Sequence, residues 1–337
     1  VRRVADAAGI AAAAAIIRQG GLVAFPTETV YGLGAHALDA AAVRKIFEAK
    51  GRPAFNPLIV HMLDADAARA LVTEWPPLAD ALTKRFWPGP LTLVLPRRPI
   101  VPDVITGGGP TVAIRSPAHP VARALLEATG LPIAAPSANR FTELSPVTAE
   151  QVERSLGDRV ECILDGGRTH VGIESTVVNL SGPVPRLLRP GTITQAELEA
   201  ITGPLARPAT VADEETSRPS PGMIARHYAP RATVVLVRST VIGEAINTAM
   251  TSANMSGEPS TARIGLITWS EAQRTRATES TVQHLLLPAD AAGYAAELYH
   301  ALHRCDDAGC THIVVERPPD DPAWEGVRDR LTRAAHP

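Results

Sequence analysis

Lys50-Gly51-Arg52-Pro53, followed at once by Asn56-Pro57-Leu58-Ile59-Val60-His61, marks the point where a helix hands the chain over to a strand. Upstream, Ala40 to Ala49 reads as the helix, with Asp39 as its N-cap. Downstream, Leu58 to Met62 is a short apolar run that reads as the strand. The basic pair at the helix end is open to two readings. It can complement the negative end of the helix dipole, or it can hold an anion brought to that edge.

Working outward, the alternation continues. Leu22 to Phe25, Thr111 to Arg115, Ile133 to Ala135, Val160 to Leu164 and Ser175 to Leu180 read as strands. Leu91 to Leu95 alternates apolar and polar residues, as a half-buried strand does. Pro77 to Phe86, Pro120 to Thr129 and Ala149 to Leu156 read as helices, the second stopped by Gly130. The pattern predicts an α/β domain on a mixed sheet. At the front, Arg2 and Arg3 precede an Ala-rich run. Asp6 interrupts that run, and the reading is an amphipathic first helix stopped by Gly20-Gly21, not a secretory leader.

The composition changes after residue 203. Pro204, Pro208, Pro219, Pro221 and Pro230 stand in a polar stretch that reads as an extended linker able to act as a lid. Beyond it, Thr233 to Val237, Ile264 to Thr268 and Ile313 to Glu316 read as strands, with helices at Ile242 to Met250 and Ala291 to His303. This predicts a smaller Rossmann-like α/β domain without a glycine fingerprint. The expected division is 1–203, 204–231 and 232–337.

Bulk properties narrow the function. The 337 residues include 33 Lys and Arg against 35 Asp and Glu, so any nucleic-acid binding must rest on a local patch. Three cysteines, Cys162, Cys305 and Cys310, make no disulfide framework and suit the reducing cytoplasm. No apolar run reaches membrane-spanning length.

Among nucleotide signatures, the phosphate loop G-x-x-x-x-G-K-[ST] does not occur. Gly32-Leu33-Gly34-Ala35-His36-Ala37 fits a loose dinucleotide pattern, but Thr27 to Tyr31 separates it from its strand. Its glycines read as a tight turn. His300, His303, Cys305, Cys310 and His312 crowd together but match no common zinc template, so no protein-bound structural metal is expected. They read as a helix end, a turn at Gly309 and a strand. Thr251-Ser252-Ala253-Asn254 echoes Ser137-Ala138-Asn139 without a Lys-x-Arg partner, and reads as a coincidence or a surface turn.

The first domain is richer. Pro26 to Gly32, Lys50 to Arg52, Arg115 to Pro120, Pro136 to Asn139, Gly172 to Thr176 and Leu188 to Gly191 each place cations or hydroxyls at a strand end. Ligands of open α/β sheets gather at such ends. Arg and Lys pair with phosphate or carboxylate, while Ser, Thr and Asn orient what the cations hold. Charge and pattern alone stop at an anion-binding site.

The run Pro26 to Gly34, Lys50-Gly51-Arg52-Pro53 with Asn56 to His61, Trp87-Pro88-Gly89-Pro90-Leu91-Thr92, Ser137-Ala138-Asn139, Glu174-Ser175-Thr176 and Arg189-Pro190-Gly191 resembles, in order and spacing, the threonylcarbamoyl-AMP synthase family. Ser220-Pro221-Gly222-Met223 and Arg226-His227-Tyr228-Ala229-Pro230 resemble its longer, two-domain branch. The resemblance implies a YrdC-like twisted mixed sheet with a concave active site. It implies a nucleotidyltransferase that condenses L-threonine, bicarbonate and ATP to threonylcarbamoyl-AMP and pyrophosphate, with Mg²⁺ carried on the ATP. The product would pass to a tRNA-modifying threonylcarbamoyl transferase, for adenosine-37 of tRNAs that read ANN codons, with at most a weak direct contact to tRNA. By the same resemblance, Lys50, Arg52, Ser137 and Asn139 form the catalytic tetrad. Arg52, Asn56, Thr111, Ser137, Ser145, Arg189 and Tyr228 contact ATP, and Thr29, His61, Arg115, Ala135 and Ser175 contact threonine.

Two departures stand out. Where the family has a small glycine-containing turn after Asn139, this chain has Arg140-Phe141-Thr142-Glu143. The ending, Pro318 to Ala334, lacks the glycine-rich, Asn-containing pattern of many members. Two rival readings are a related carbamoyl-handling enzyme, such as the YrdC-like hydrogenase-maturation carbamoyltransferases, and an RNA-binding module. The first lacks its acylphosphatase-like segment and zinc-finger cysteines here. The second is weakened by the net charge and by only five Phe.

Overall fold

The structure of the protein, a computed structural model, describes residues 1–207, 228–255, 263–270 and 282–336. These fall into two compact units. One takes 1–141 and 145–207; the other takes 142–144 and the described residues from 228 onward. Most of the stretch read as a linker and lid, residues 208–227, lies outside the described residues.

The first unit runs β1 (Arg2–Val4), α1 (Ala7–Arg18), β2 (Val23–Pro26), β3 (Tyr31–His36), α2 (Ala40–Lys50), β4 (Ile59–His61), α3 (Ala65–Arg69), α4 (Pro77–Phe86), β5 (Leu91–Pro96), α5 (Asp103–Thr106), β6 (Thr111–Arg115) and α6 (Pro120–Thr129). It continues with β7 (Ile133–Ala134), α7 (Ala149–Leu156), β8 (Cys162–Asp165), β9 (Thr176–Asn179), β10 (Arg186–Arg189) and α8 (Gln195–Thr202). Local chemistry sets the helix ends. Asp39 accepts the amides of Ala41 and Ala42, and Gly51 closes α2 in the left-handed conformation at φ 63°. Thr148 with Gln151 and Thr194 with Glu197 form capping boxes on α7 and α8.

The strands form a mixed sheet in the order β1-β8-β2-β3-β7-β4-β6-β5-β9-β10. One face buries Ala24, Leu33, Val60, Leu93, Ile114 and Val178 against α2, α4, α5, α7 and α8. On the opposite face, α1 and α6 cover Val23, Phe25, Ile133, Ala135 and Leu164. Farther along that second face lies a smaller apolar patch of Ile59, Val94, Ala113, Val177 and Leu188, which includes no helix residue. The sheet is strongly curled. The Phe25 and His61 rings meet edge-on at 6.3 Å although β3 and β7 lie between their strands.

Two expectations for this unit need correction. Gly32 and Gly34 lie within β3, antiparallel to β2, and make no tight turn. A Cβ on Gly34 would stand 2.7 Å from a Phe25 ring carbon, so the glycine makes room for that ring. Leu91 to Leu95 is buried throughout, because helices cover one face of β5 and the small patch includes the other. Arg2 to Val4 pairs in parallel with β8 as an added edge strand.

The second unit contains β11 (Thr233–Val237), α9 (Ile242–Met255), β12 (Arg263–Thr268), β13 (Val282–Leu286), α10 (Ala291–Asp307), β14 (Cys310–Glu316) and α11 (Glu325–Ala334). Its four strands are parallel, in the order β11-β14-β12-β13. Ile242, Ile246 and Ala249 of α9 pack on Ile264, Leu266 and Val314. Thr251 to Asn254 lies inside α9 rather than in a surface turn, with Ala253 buried. Gly309, at φ 73°, turns the chain between α10 and β14. The described residues hold no group of three or more His, Cys, Asp or Glu able to grip a metal.

Candidate active site

Strand register places most of the expected residues on one face. β4 and β6 are parallel neighbours, pairing Ile59 with Ala113 and His61 with Arg115. Alternation puts Thr111 on the same side as Arg115. β5 is antiparallel to β6 and pairs Val94 with Ala113, so Thr92 shares this face. Thr92 pairs with Val177 of β9, which brings Ser175, and Val177 pairs with Arg189 of β10. Ala135, whose amide donates to Ile59 O at 2.9 Å, extends it on the other side. The small apolar patch is thus the floor of a polar concavity. Because the sheet is mixed, the strands share no common carboxyl edge. Thr111 opens β6 and Arg115 closes it, so the site lies across a face and not along strand ends.

The anchor of one end is Arg115, which is 3% exposed. Its Nη2 sits 2.7 Å from Glu28 Oε1, an ion pair without an aligned hydrogen bond. Nη1 donates to Thr29 Oγ1 at 3.0 Å, and Nε donates to Gly89 O at 3.2 Å. Glu28 Oε2 accepts the Ala118 amide at 3.1 Å. Burial pushes the Glu28 carboxyl up, but the Arg115 charge and these hydrogen bonds outweigh it and hold the group below its ordinary range. His61, beside Arg115 in register, is pushed down to about 3 by burial first and then by the Arg115 charge, so its imidazole is neutral. Its Nδ1 is buried and has no hydrogen-bond partner among the described residues.

The second cluster is built on the end of α2. Lys50 folds back and its Nζ donates to Ser137 O at 2.6 Å and to Asn139 O. It is 3% exposed, so it is no surface complement to the dipole. Asn139 Nδ2 donates to Arg140 O at 2.8 Å. Arg52 Nε and Nη2 donate to Asn56 O and Pro57 O, at 3.2 and 2.9 Å. Asn56 is 1% exposed, yet both polar atoms of its side chain lack a partner among the described residues. Buried amides are costly to leave unpaired, so Asn56 has both a donor and an acceptor to offer a ligand. Ser137 bridges Gly32 of β3, tying this cluster to the β2–β3 hairpin.

The third cluster joins the far strands. Ser175 Oγ lies 2.8 Å from Thr92 Oγ1, and Arg189 donates to Ser175 O at 3.1 Å and to Ser175 Oγ at 3.2 Å. Ser145 Oγ donates to Glu174 Oε1 at 2.6 Å. Gly172 N donates to Thr29 O at 3.1 Å, which links this loop to the hairpin. Tyr228 belongs to the second unit, where its ring is 2% exposed, packs on Tyr299 and lies under the Arg330 guanidinium.

Glu28, Thr92 and Glu174 were missed as site residues. Glu28 and Glu174 both stood inside quoted motifs, as acids beside a buried strand with no cation near them in sequence. That isolation was the available signal. Thr142, in the departing turn, adopts φ 70°, a conformation suited to the glycine the resemblance leads one to expect there.

Four buried cations, Lys50, Arg52, Arg115 and Arg189, set with hydroxyls and a neutral histidine on an α/β domain, are a set able to bind anionic groups. Residues 15–191 match the family described as Telomere recombination, and residues 193–336 match the one described as Threonylcarbamoyl-AMP synthase, C-terminal domain. A threonylcarbamoyl-AMP synthase of Bacillus subtilis is 42% identical over 327 residues, covering 97% of this chain and 92% of that one. One from Pyrococcus abyssi is 53% identical over 226 residues, 67% of this chain and 66% of that relative's length. The crystal structure of P. abyssi Sua5 complexed with L-threonine superposes with a TM-score of 0.88 at 42% identity, covering 99% of this chain and 96% of that one. The chain belongs to the threonylcarbamoyl-AMP synthase family.

Proposed function

We propose that the chain condenses L-threonine, bicarbonate and ATP into threonylcarbamoyl-AMP and pyrophosphate, with 1–203 as its catalytic domain. The observation that supports this most is the shared face of Arg115, His61, Thr29 and Ser175 with the Lys50, Ser137 and Asn139 cluster beside it. The threonine carboxylate is assigned to Arg115, whose Nη2 still lacks an aligned hydrogen bond. His61, being neutral, offers hydrogen bonding without adding charge. The threonine amine takes up bicarbonate with loss of water to give a carbamate. A carbamate oxygen then attacks the α-phosphorus of ATP, and pyrophosphate leaves. Little covalent work falls to side chains, so positioning and charge neutralisation dominate.

In this reading Arg52, Asn56, Thr111, Ser137, Ser145 and Arg189 hold the nucleotide, and Asn56 supplies its unpaired amide. Tyr228 of the second unit is assigned to the nucleotide as well. Mg²⁺ supplies charge neutralisation on the triphosphate. The two carboxylates near the site, Glu28 and Glu174, are engaged by Arg115 and Ser145, so the donor set suits a metal carried by phosphate oxygens rather than one gripped by protein. The labile adenylate would pass to a tRNA-modifying transferase in the same compartment, which we place in the cytoplasm. No helix among the described residues is long and apolar enough to cross a membrane.

The test is to incubate the full chain with ATP, Mg²⁺, bicarbonate and L-threonine and to follow pyrophosphate. Release should require both threonine and bicarbonate. Release that is unchanged when threonine is omitted would sink the assignment.

A further inference from the structure

The parallel neighbours β4 and β6 send their following connections to opposite faces of the sheet. Residues 62–64 lead from β4 toward α3 and α4, whose Ala68, Ala79 and Leu82 pack in the larger core. Residues 116–119 lead from β6 to α6, whose Ala122, Leu125 and Leu126 pack on the other face. Adjacent parallel strands that part in this way open a crevice beyond their carboxyl ends, where ligands settle in open α/β sheets. Here that crevice is a cavity of about 340 Å³ whose walls include Leu63, Lys84, Trp87, Pro88, Ser116 and Arg123. Its size lies at the small end of the roughly 300–1,000 Å³ typical of ligand pockets. None of its lining residues belongs to the concave face described above.

Its charge preference follows from which groups are already engaged. Asp64 and Asp80 also line it. Asp64 Oδ1 accepts the Ala67 amide at 2.8 Å and caps α3. Asp80 Oδ1 accepts Trp75 Nε1 at 2.8 Å and is paired with Arg69. Asp80 is therefore paired with a cation, while Asp64 keeps its charge and spends one oxygen on the Ala67 amide. Ser116 Oγ donates to Leu63 O at 2.8 Å, and Arg123 Nη1 to the same carbonyl at 3.1 Å. Lys84, exposed on α4, has no hydrogen bond or ion pair among the described residues. What remains to greet a ligand, besides the other Asp64 oxygen, is the Lys84 ammonium, the rest of the Arg123 fork, and an apolar wall of Trp87, Pro88 and Leu63.

We infer that this crevice is a second ligand site, one that takes a small organic carboxylate. The apolar body lies on Trp87, Pro88 and Leu63, and the carboxylate meets Lys84 and Arg123, whose planar guanidinium matches a carboxylate edge. The occupant lies close to the substrate anchor. Ser116 follows Arg115 directly, and Gly89, next to Pro88, donates its amide to Ser116 O at 2.8 Å.

Benzoate is the probe, titrated into the full chain and followed by tryptophan fluorescence, with Trp87→Phe assigning the signal to the cavity. Saturable binding is expected. Benzamide, of the same shape without the charge, should bind at least tenfold more weakly. Lys84→Gln, an exposed substitution that breaks no described contact, should weaken benzoate at least fivefold. Saturating L-threonine should leave benzoate affinity within twofold. The proposal is overturned by an absence of saturable binding, by benzamide binding as well as benzoate, or by unchanged affinity in Lys84→Gln. Displacement of benzoate by threonine would also overturn it, because it would put the probe on the concave face.

Discussion

Glu28 and Arg115 form a buried ion pair at 2.7 Å, with side chains 1% and 4% exposed. One comes from the β2–β3 hairpin and the other closes β6, and these strands meet only because the sheet curls. Such a pair is not a net gain in stability by default, because both charges lose their water. Its effect here is positional. Glu28 holds the guanidinium in place inside a low-dielectric face, where the proposed function puts the substrate carboxylate.

Glu28→Gln should therefore destabilise the protein by about 3–5 kcal/mol near pH 7, because it strands the Arg115 charge. The pH dependence has a definite sign. The folded carboxyl titrates below its ordinary value of 4.5, so its contribution is full above that value and is lost as pH falls through the folded pKa. Urea denaturation of both proteins should show a gap at pH 7 that closes below pH 4.5. A gap that is flat with pH would refute the pair's role.

His61 acts in a higher window. Its folded pKa is about 3 against 6.5 in the open chain, so the unfolded state takes up a proton that the folded state refuses. Stability should fall as pH drops from 6.5 toward 3, at up to about 1.4 kcal/mol per pH unit from this group. His61→Gln should flatten that part of the curve. Threonine binding should also show no inflection near 6.5 that disappears in His61→Gln; finding one would show that the imidazole is charged in the folded state.

Lys50→Ala removes the donor to two carbonyls, Ser137 O and Asn139 O. The expected cost is about 1–3 kcal/mol per buried group left unpaired. Threonine-dependent pyrophosphate release should fall at least tenfold in Lys50→Ala and in Arg52→Ala, with circular dichroism showing a folded chain. Full activity in both would undo the site assignment.

Gly34→Ala tests the glycines of β3. The added Cβ would stand 2.7 Å from Phe25 Cε1 and 2.9 Å from Ile133 Cγ2. Overpacking of this kind costs about 1–3 kcal/mol. Thermal or denaturant unfolding should show it. A neutral effect would mean that the ring can move aside and that the glycine serves another purpose.

Much of the architecture was legible because its signals are local. Pro77 to Phe86, Pro120 to Thr129 and Ala149 to Leu156 are bounded in the sequence by the residues that bound them in space: an N1 proline, a left-handed Gly130, a Thr148 capping box. β3 escaped because its two glycines depress every strand signal; they are explained by the Phe25 ring and Ala135, which are contacts across strands. β1 escaped because only its pairing with β8 makes it a strand.

The same division runs through the site. Sequence alone determined the alternation of helices and strands, the change of composition after residue 203, and a set of cations and hydroxyls suited to an anion. It placed Lys50 at a helix end, where a dipole complement and an anion ligand were equally good readings. The tertiary structure buries the ammonium against Ser137 O and Asn139 O, so it is not a solvated complement to the dipole. It also decided which acids neutralise which cations, that His61 is uncharged, and that the site lies across a face of the sheet. Caps and turns depend on residues within about four positions of each other. Ion pairing and desolvation depend on what a curled sheet brings within a few ångströms, and no local pattern in the chain encodes that distance.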